Sequence, residues 1–297
     1  MPTSLSPLTG RTIRCLLFDL GSTLWTYRDD AILRQAAHNA EQRAITILRR
    51  HLHEQDAARL DTLQPEQLTQ AIYAQAQQEN IPGQYNEPDM ALATVAAVRQ
   101  LGFPNIDPSV GEEMFEATRL RIPETRVFFE DALPTLATLK ERGFLLSIVT
   151  NRGHGGEIFQ EDVHTLGLFE YIDPHNMAVS IDLKIRKPDP RIFQYALDAL
   201  EVQANEAVMV GDMLGADVYG SKQLGMYSVW KPHPEVFAQA RAEQQDKTPS
   251  LNTLKHIALH RMRYHLPDRA TLEALEPDMV IEHLKELLDV FTKVGKQ

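Results

Sequence analysis

Short apolar runs alternate along much of the chain with longer segments of helical periodicity. The runs are "CLLF" before Asp19, "FLLSIV" before Thr150, "AVMV" before Gly211 and Asp212, and later "YSVW" and "MVI". Nearly continuous apolar runs of this length, separated by helical patterns, are typical of parallel strands that are covered on both faces. The pattern therefore predicts an α/β fold with a doubly wound parallel sheet, of the Rossmann-like kind.

The helices between these runs carry their own start and stop signals. The stretch "PDPRIFQYALDAL" predicts a helix that Asp189 caps and that has Pro190 in its first turn. Gly143 is the expected stop of the helix that precedes "FLLSIV". The apolar residues of the first of these helices fall on one face, at Ile192, Phe193, Ala196, Leu197 and Leu200.

Residues 28–125 have a different pattern, in which Ala, Gln, Glu and Arg dominate and strand-like runs are absent. The periodicity predicts helices at 29–53, 65–80, 88–101 and 109–121. A polar segment rich in His and Arg, which we also expect to be helical, separates "YSVW" from "MVI". The expected organisation is a tail at 1–11, an α/β core at 12–27, 126–230 and 277–297, a helical domain at 28–125 and a polar helical insertion at 231–276.

Composition narrows the classes of partner and compartment. The formal net charge of -11 opposes binding to a phosphate backbone, so nucleic acid is not an expected partner. Cys15 is the single cysteine, which excludes an intrachain disulfide framework and favours a reducing, cytoplasmic location. No segment approaches the roughly 20 apolar residues of a membrane span, and no signal peptide is indicated. No pattern indicates an oligomeric state.

Polar residues follow three of the apolar runs at the point where each predicted strand ends. These residues are Asp19, Thr150 and Asp212, and in open α/β sheets ligands bind beyond the carboxyl ends of the strands. Lys187 lies in a loop that could reach the same place, and Asp217 follows Asp212 by five positions. The sequence therefore predicts one crevice that these groups share, although Asp217 could also simply cap the next helix.

Four elements of the sequence resemble, in order, the motifs of the haloacid dehalogenase superfamily, a large group of aspartate-nucleophile phosphohydrolases. They are "FDLGSTL", "SIVTN", "KIRKPDPRIF" and "VMVGDMLGADVYGSKQLGM". The resemblance covers residues 13–27 and 126–230, and the helical block at 28–125 occupies the position of the type 1 cap of that family. It implies a two-domain hydrolase in which the cap closes over a small substrate.

The resemblance also implies roles for individual residues. Asp19 would be the nucleophile that accepts the phosphoryl group as an aspartyl phosphate. Thr150, Asn151 and Lys187 would bind the phosphoryl oxygens, with Lys187 neutralising the charge that develops there.

A Mg²⁺ site is implied by the same resemblance. Asp19, Asp212 and the backbone carbonyl of Gly21 would hold the ion, and Asp217 would support or join that set of oxygen ligands. Mg²⁺ would reduce the repulsion between an anionic nucleophile and an anionic substrate.

Gly21 departs from the family pattern, because phosphatases of the family carry a second aspartate at this position, two residues after the nucleophile. The carbonyl of Gly21 can still bind a metal, but its side chain cannot transfer a proton, a contribution typically worth about 10² to 10⁴ in rate. Phosphate esters with poor leaving groups should suffer most. Four other residues could supply the missing acid and base, and the sequence does not select among Asp29, Asp30, His154 and Glu157.

The expected function is accordingly a Mg²⁺-dependent phosphatase that acts on a small phosphorylated metabolite with atypical or reduced activity. One alternative is a catalytically weak or silent protein that binds or regulates. A less favoured alternative is a carbon–halogen hydrolase, because dehalogenases of the superfamily carry an aromatic residue at the Gly21 position and lack the arrangement of Asp212 and Asp217.

Overall fold

The structure is a computed structural model that describes residues 11–52, 54–78, 84–243, 248–261 and 270–294. Its strands are β1 Cys15–Phe18, β2 Trp25–Tyr27, β3 Arg126–Phe128, β4 Leu145–Thr150, β5 Ala178–Val179, β6 Ala207–Gly211, β7 Tyr227–Trp230 and β8 Met279–Val280. Its α-helices are α1 Asp30–Arg50, α2 Glu54–Leu60, α3 Pro65–Gln78, α4 Met90–Gln100, α5 Gly111–Ala117, α6 Ile122–Thr125, α7 Ala132–Glu141, α8 Gly156–Thr165, α9 Ser180–Leu183, α10 Pro190–Ala199, α11 Gly220–Lys222, α12 Pro234–Glu243, α13 Leu251–Arg261 and α14 Leu287–Val290. One π-helical turn spans Leu214–Tyr219, and 3₁₀ turns span Pro108–Val110, Leu168–Glu170, Pro174–Asn176, Ala204–Glu206 and Leu284–Glu286.

The chain forms two compact units. The first, the α/β unit, contains the described residues of 1–26, 128–152 and 167–297. The second, the helical unit, contains those of 27–127 and 153–166.

The α/β unit is built on a six-stranded parallel sheet in the order β5-β4-β1-β6-β7-β8. Strand β1 lies between β4 and β6, and Phe18 pairs in register with Ile148 on one side and Val210 on the other. Every residue of β1 and β6 is buried, which explains why these strands read as continuous apolar runs. The predicted doubly wound parallel sheet is confirmed.

The helix start and stop signals that the sequence predicts lie at the start of α10 and just after the end of α7. Asp189 caps α10 by accepting a 2.9 Å hydrogen bond from the backbone N of Arg191, and Pro190 begins the helix. The apolar face of α10 is buried against the sheet. Helix α7 is followed by Gly143 at a φ of +91°, a left-handed conformation that a residue without a side chain adopts at little cost.

The helical unit contains the predicted helices as α1, α3, α4 and α5, together with the short α2, which the periodicity did not indicate. Its apolar core is formed by buried residues of these helices, among them Leu48, Leu68, Ile72, Val98, Phe103 and Met114. Residues 153–166, which the expected boundaries assigned to the α/β core, group instead with this unit. Asp162 in α8 is buried and accepts hydrogen bonds from the backbone N of Ile122 at 2.8 Å and from Nε of Arg121 at 2.6 Å.

The described part of the insertion 231–276 is helical, as its composition indicates, and consists mainly of α12 and α13. These helices join Leu214 and Trp230 in one hydrophobic cluster of the α/β unit. Of the expected tail at 1–11, all but Arg11 lies outside the described residues.

Candidate functional site

Three of the predicted site residues meet at the carboxyl edge of the sheet. Asp19 directly follows β1, and its backbone N donates to the carbonyl of Val210 at 2.9 Å. Thr150 is the last residue of β4, and Asp212 directly follows β6. Because β1 pairs in parallel with both β4 and β6, these three positions lie at the same edge.

Lys187 joins this group from a loop that is distant in sequence. Its side chain is buried, and Nζ donates to Oδ1 of Asp19 at 2.6 Å and to Oδ1 of Asp217 at 2.7 Å. Burial alone would lower the pKa of Lys187, but the two carboxylates outweigh it and raise that pKa to about 12. The ammonium is therefore charged at neutral pH and bridges the two carboxylates.

Three carboxylates surround this single ammonium. One oxygen from each of Asp19, Asp212 and Asp217 lies within 4.8 Å of the others. Burial, followed by repulsion from Asp19 and Asp217, raises the pKa of Asp212 well above its ordinary value. Burial also raises the pKa of Asp217 to about 6, although Lys187 opposes this shift. Lys187 thus offsets only part of the effect that burial and mutual repulsion have on the pKa of these two carboxyl groups.

The donor set fits a hard divalent cation. Both oxygens of Asp217 are engaged, Oδ1 by Lys187 and Oδ2 by the backbone N of Met213 at 2.9 Å. Within the described part of the chain, no hydrogen bond reaches Oδ2 of Asp19 or the carboxylate of Asp212. Asp19 and Asp212 thus offer free oxygens of the type that such cations prefer, while Asp217 orients Lys187 and the Met213 backbone.

Gly211 permits this close arrangement. A Cβ atom added at Gly211 would lie 2.2 Å from Cγ of Asp217, a distance that no side chain tolerates. The glycine before Asp212 is therefore required by the packing of Asp217 against the end of β6.

Asn151 holds the backbone of Lys187 in place through two hydrogen bonds. Its Nδ2 donates to the backbone carbonyl of Lys187 at 3.0 Å, and its Oδ1 accepts from the backbone N of Lys187 at 2.8 Å. The amide fixes the segment from which the Lys187 side chain extends. Contact of Asn151 with a phosphate stays a prediction, as does that of the buried Thr150.

The loop after Asp19 has room for a side chain at Gly21. Gly21 is exposed, and no described atom lies within 4 Å of a Cβ built there beyond its immediate chain neighbours. The next residue, Ser22, has a φ of +58° and donates from its backbone N to the carbonyl of Trp25 at 2.7 Å. The backbone of Gly21 has no such left-handed φ, so a larger residue is admissible there.

Lys231 is a buried cation that the sequence analysis missed. It directly follows β7, is 2% exposed, and donates from Nζ to the carbonyl of Ser22 at 3.1 Å. Burial lowers the pKa of Lys231 to about 8, against the opposing influence of Asp131 and Asp212. A charged residue immediately after "YSVW" is the signal that could have found it, since the same pattern indicated Asp19.

The four residues considered as substitutes for a second aspartate all belong to the helical unit. Asp29 caps α1 by accepting from the backbone N of Ala31 at 2.7 Å. His154 stacks on Phe115, with ring centroids 4.1 Å apart. Two of the four thus have structural contacts of their own.

Comparison with known families identifies one match. The family model described as haloacid dehalogenase-like hydrolase matches residues 13–225, which contain every residue of the cluster. No helix in the described ranges is both long enough and apolar enough to cross a membrane.

Curated relatives include two kinds of hydrolase. Glyceraldehyde 3-phosphate phosphatase of Pyrococcus furiosus is 39% identical over 100 residues, which cover 33% of this chain and 40% of that protein. (S)-2-haloacid dehalogenase 1 of Pseudomonas sp. (strain CBS-3) is 32% identical over 136 residues, which cover 44% of this chain and 56% of that protein. The chain thus spans about half the length of the curated relatives it matches, or less.

A solved structure supports the fold over nearly the whole chain. The crystal structure of a HAD phosphatase from Thermococcus onnurineus superposes with a TM-score of 0.52 at 23% identity, covering 95% of this chain and 100% of that one. At this identity the likeness extends to the fold alone.

Proposed function

The chain belongs to the haloacid dehalogenase-like hydrolase family, and we propose that within it the protein is a Mg²⁺-dependent phosphatase that acts on a small phosphorylated compound. The observation that carries this proposal is the bridge from Lys187 to Asp19 and Asp217, with Asp212 beside it. This arrangement holds one oxygen of Asp19 in place and leaves the other free.

In the proposed reaction Oδ2 of Asp19 attacks phosphorus, and the bond from phosphorus to the leaving oxygen breaks. Lys187 holds Oδ1 and compensates charge as the phosphoryl group transfers, while Thr150 and Asn151 bind its oxygens. Water then attacks the aspartyl phosphate, which releases phosphate and restores Asp19.

The Mg²⁺ ion would be held by Asp19, Asp212 and the carbonyl of Gly21, with Asp217 supporting them. When bound, it supplies electrostatic stabilisation of the phosphoryl oxygens. The carboxylate oxygens of Asp19 and Asp212 that accept no hydrogen bond in the described ranges support this assignment. The raised pKa of Asp212 also supports it, because burial and repulsion from Asp19 and Asp217 cause that shift and a bound cation would oppose it.

Gly21 restricts the substrates that this machinery handles well. No side chain at this position can protonate the leaving oxygen, so acyl and aryl phosphates, whose leaving groups need less protonation, should react faster than sugar phosphates. The proposal is therefore a phosphatase with reduced activity on alkyl esters.

The sharpest test replaces Gly21 with aspartate. Gly21→Asp should raise kcat for alkyl phosphates by about 10² to 10⁴, since the structure leaves space for the side chain and a carboxylate there can transfer the proton. Gly21→Asn is the matched control, because it has the same shape and cannot act as an acid or base. Steady-state rates of phosphate release with Mg²⁺ provide the measurement.

Asp19→Asn should abolish hydrolysis of acetyl phosphate and of aryl phosphates in both backgrounds. A folded Gly21→Asp protein that is no faster than Gly21→Asn would contradict the account of a phosphatase that lacks only its acid. Release of chloride from 2-chloropropionate, with no release of phosphate from any ester, would contradict the proposed phosphatase activity and indicate a dehalogenase. Silence toward both classes would favour a binding or regulatory protein.

A further inference from the structure

A pocket of about 190 Å³ lies in the α/β unit beside the carboxylate cluster. Asp212 and Met213 form part of its wall, and Trp230 at the end of β7 forms another part. The indole Nε1 of Trp230 donates to the backbone carbonyl of Asp212 at 2.8 Å, so the pocket is fixed directly to a candidate metal ligand.

The rest of the wall comes from the insertion 231–276. Pro232 and His233 contribute from the segment before α12 and Val236 from α12, and Ala258 and Arg261 contribute from α13. The family model matches residues 13–225, so this part of the pocket lies outside the matched segment. Residues of the insertion therefore form part of the wall of a pocket next to the carboxylate cluster.

The chemistry of the wall favours an apolar occupant. Trp230, Val236 and Ala258 are buried apolar residues of one hydrophobic cluster. The charge of Arg261 is paired with Glu235 by a salt bridge. Burial, together with the nearby charges of Arg261 and Lys231, lowers the pKa of His233, which keeps its ring neutral at neutral pH. Asp212 belongs both to the wall of the pocket and to the carboxylate cluster.

The size of the pocket suits one aromatic ring, since an apolar cavity of about 150 Å³ in a protein core binds benzene. We infer that the pocket holds the aryl group of the substrate, so that the protein is selective for aryl phosphates. This inference rests on the proposed phosphatase function and deepens it. It agrees with Gly21, because an aryl oxygen leaves without full protonation.

The test narrows or widens the pocket and compares each change with a matched control. Ala258→Val narrows it, and Ala240→Val adds the same atoms to a buried alanine of the same cluster that does not line the pocket. The ratio of kcat/KM for phenyl phosphate to that for acetyl phosphate should fall at least about tenfold in Ala258→Val and stay unchanged in Ala240→Val. Each change adds two carbon atoms, and a single methylene in an apolar pocket already has an effect of about this size.

A second pair covers the case in which the larger side chain prevents folding. Val236→Ala widens the pocket, and Val280→Ala removes the same atoms from the same cluster at a position outside the wall. Val236→Ala should raise kcat/KM for 1-naphthyl phosphate relative to phenyl phosphate, and Val280→Ala should not. Equal ratios within both pairs, in a protein that hydrolyses acetyl phosphate, would overturn the inference and leave the proposed function standing.

A binding measurement distinguishes failure of the proposed function from failure of the aryl-pocket inference. If the wild-type protein hydrolyses no phosphate, the proposed function fails, and titration calorimetry with phenylphosphonate in the presence of Mg²⁺ tests the pocket alone. Weaker binding by Ala258→Val than by Ala240→Val would support the aryl pocket. Equal affinities, or no binding by the wild type, would overturn it.

Discussion

Lys187 and Lys231 occupy two regions of the same sheet edge, and burial has opposite net consequences for them. Both are nearly inaccessible, at 4% and 2% exposed. The pKa of Lys187 is raised to about 12, whereas that of Lys231 is lowered to about 8. Both lysines lose hydration, so the difference comes from their partners.

Lys187 donates to two carboxylates, which compensate its charge at distances of 2.6 and 2.7 Å. Lys231 donates to the neutral carbonyl of Ser22 and lies 3.8 Å above the ring of Phe129. A carbonyl and a ring stabilise an ammonium less than paired carboxylates do. The comparison supports the proposal that Lys187 acts in the reaction through its charge, whereas Lys231 donates to the loop that follows Asp19.

The largest expected effect comes from removing each ammonium in turn. Lys187→Met should lower kcat for acetyl phosphate by about 10² to 10³, because it removes a preorganised donor at the nucleophile. It should also destabilise the fold by about 3–5 kcal/mol, since Asp19 and Asp217 then lose their buried partner. Phosphate release and urea unfolding measure the two effects.

Lys231→Met is the matched comparison, because it removes a similarly buried lysine that forms no ion pair with a carboxylate in the described ranges. It should retain more activity than Lys187→Met and should not be destabilised by the loss of an ion pair. Equal losses of kcat in the two variants would contradict the distinction between Lys187, whose charge acts in the reaction, and Lys231, which has a structural role.

A smaller effect is expected from Mg²⁺ on thermal stability. It concerns Asp212, whose carboxyl group interacts electrostatically with both lysines. If Asp212 is a ligand, Mg²⁺ at about 100 times its dissociation constant should stabilise the fold by about 2.7 kcal/mol and raise the melting temperature. Asp212→Asn should abolish this response. Asp217→Asn should reduce it only in part, because both oxygens of Asp217 already accept hydrogen bonds. A full response in Asp212→Asn, measured by differential scanning calorimetry, would remove Asp212 from the metal site.

The sequence was most informative where the fold itself brings residues together. Asp19 and Asp212 were predictable because the ends of adjacent parallel strands share one edge, and an apolar run followed by a carboxylate marks such an end. The cap at Asp189 was predictable because capping depends on local geometry. Lys187 was placed in the crevice from its loop and from the family resemblance.

Contacts that depend on tertiary packing could not be predicted in this way. Lys231 donates to Ser22, a residue distant in sequence, and no periodicity encodes that bond. The two hydrogen bonds between the Asn151 amide and the Lys187 backbone have the same origin. Residues 153–166 follow a core strand in sequence but pack with the helical unit, because the partner that satisfies Asp162 lies at Ile122.

The smallest expected effect is the pH dependence that separates the two lysines in Mg²⁺-free buffer. Because the folded pKa of Lys231 is about 8 and its ordinary value is 10.5, the unfolded chain binds more protons between these values, and stability rises with pH there. Lys231 should add about 1 kcal/mol to the free energy of unfolding between pH 8 and pH 9.

Lys187 should change the free energy of unfolding in the opposite direction, because its pKa is raised on folding. Its stabilisation is complete below its ordinary pKa of 10.5 and is lost only as the pH rises through about 12. The difference in urea unfolding between the wild type and Lys231→Met should therefore change with pH across this window, while that between the wild type and Lys187→Met stays constant. A flat difference for Lys231→Met would mean that the folded protein does not depress the pKa of Lys231.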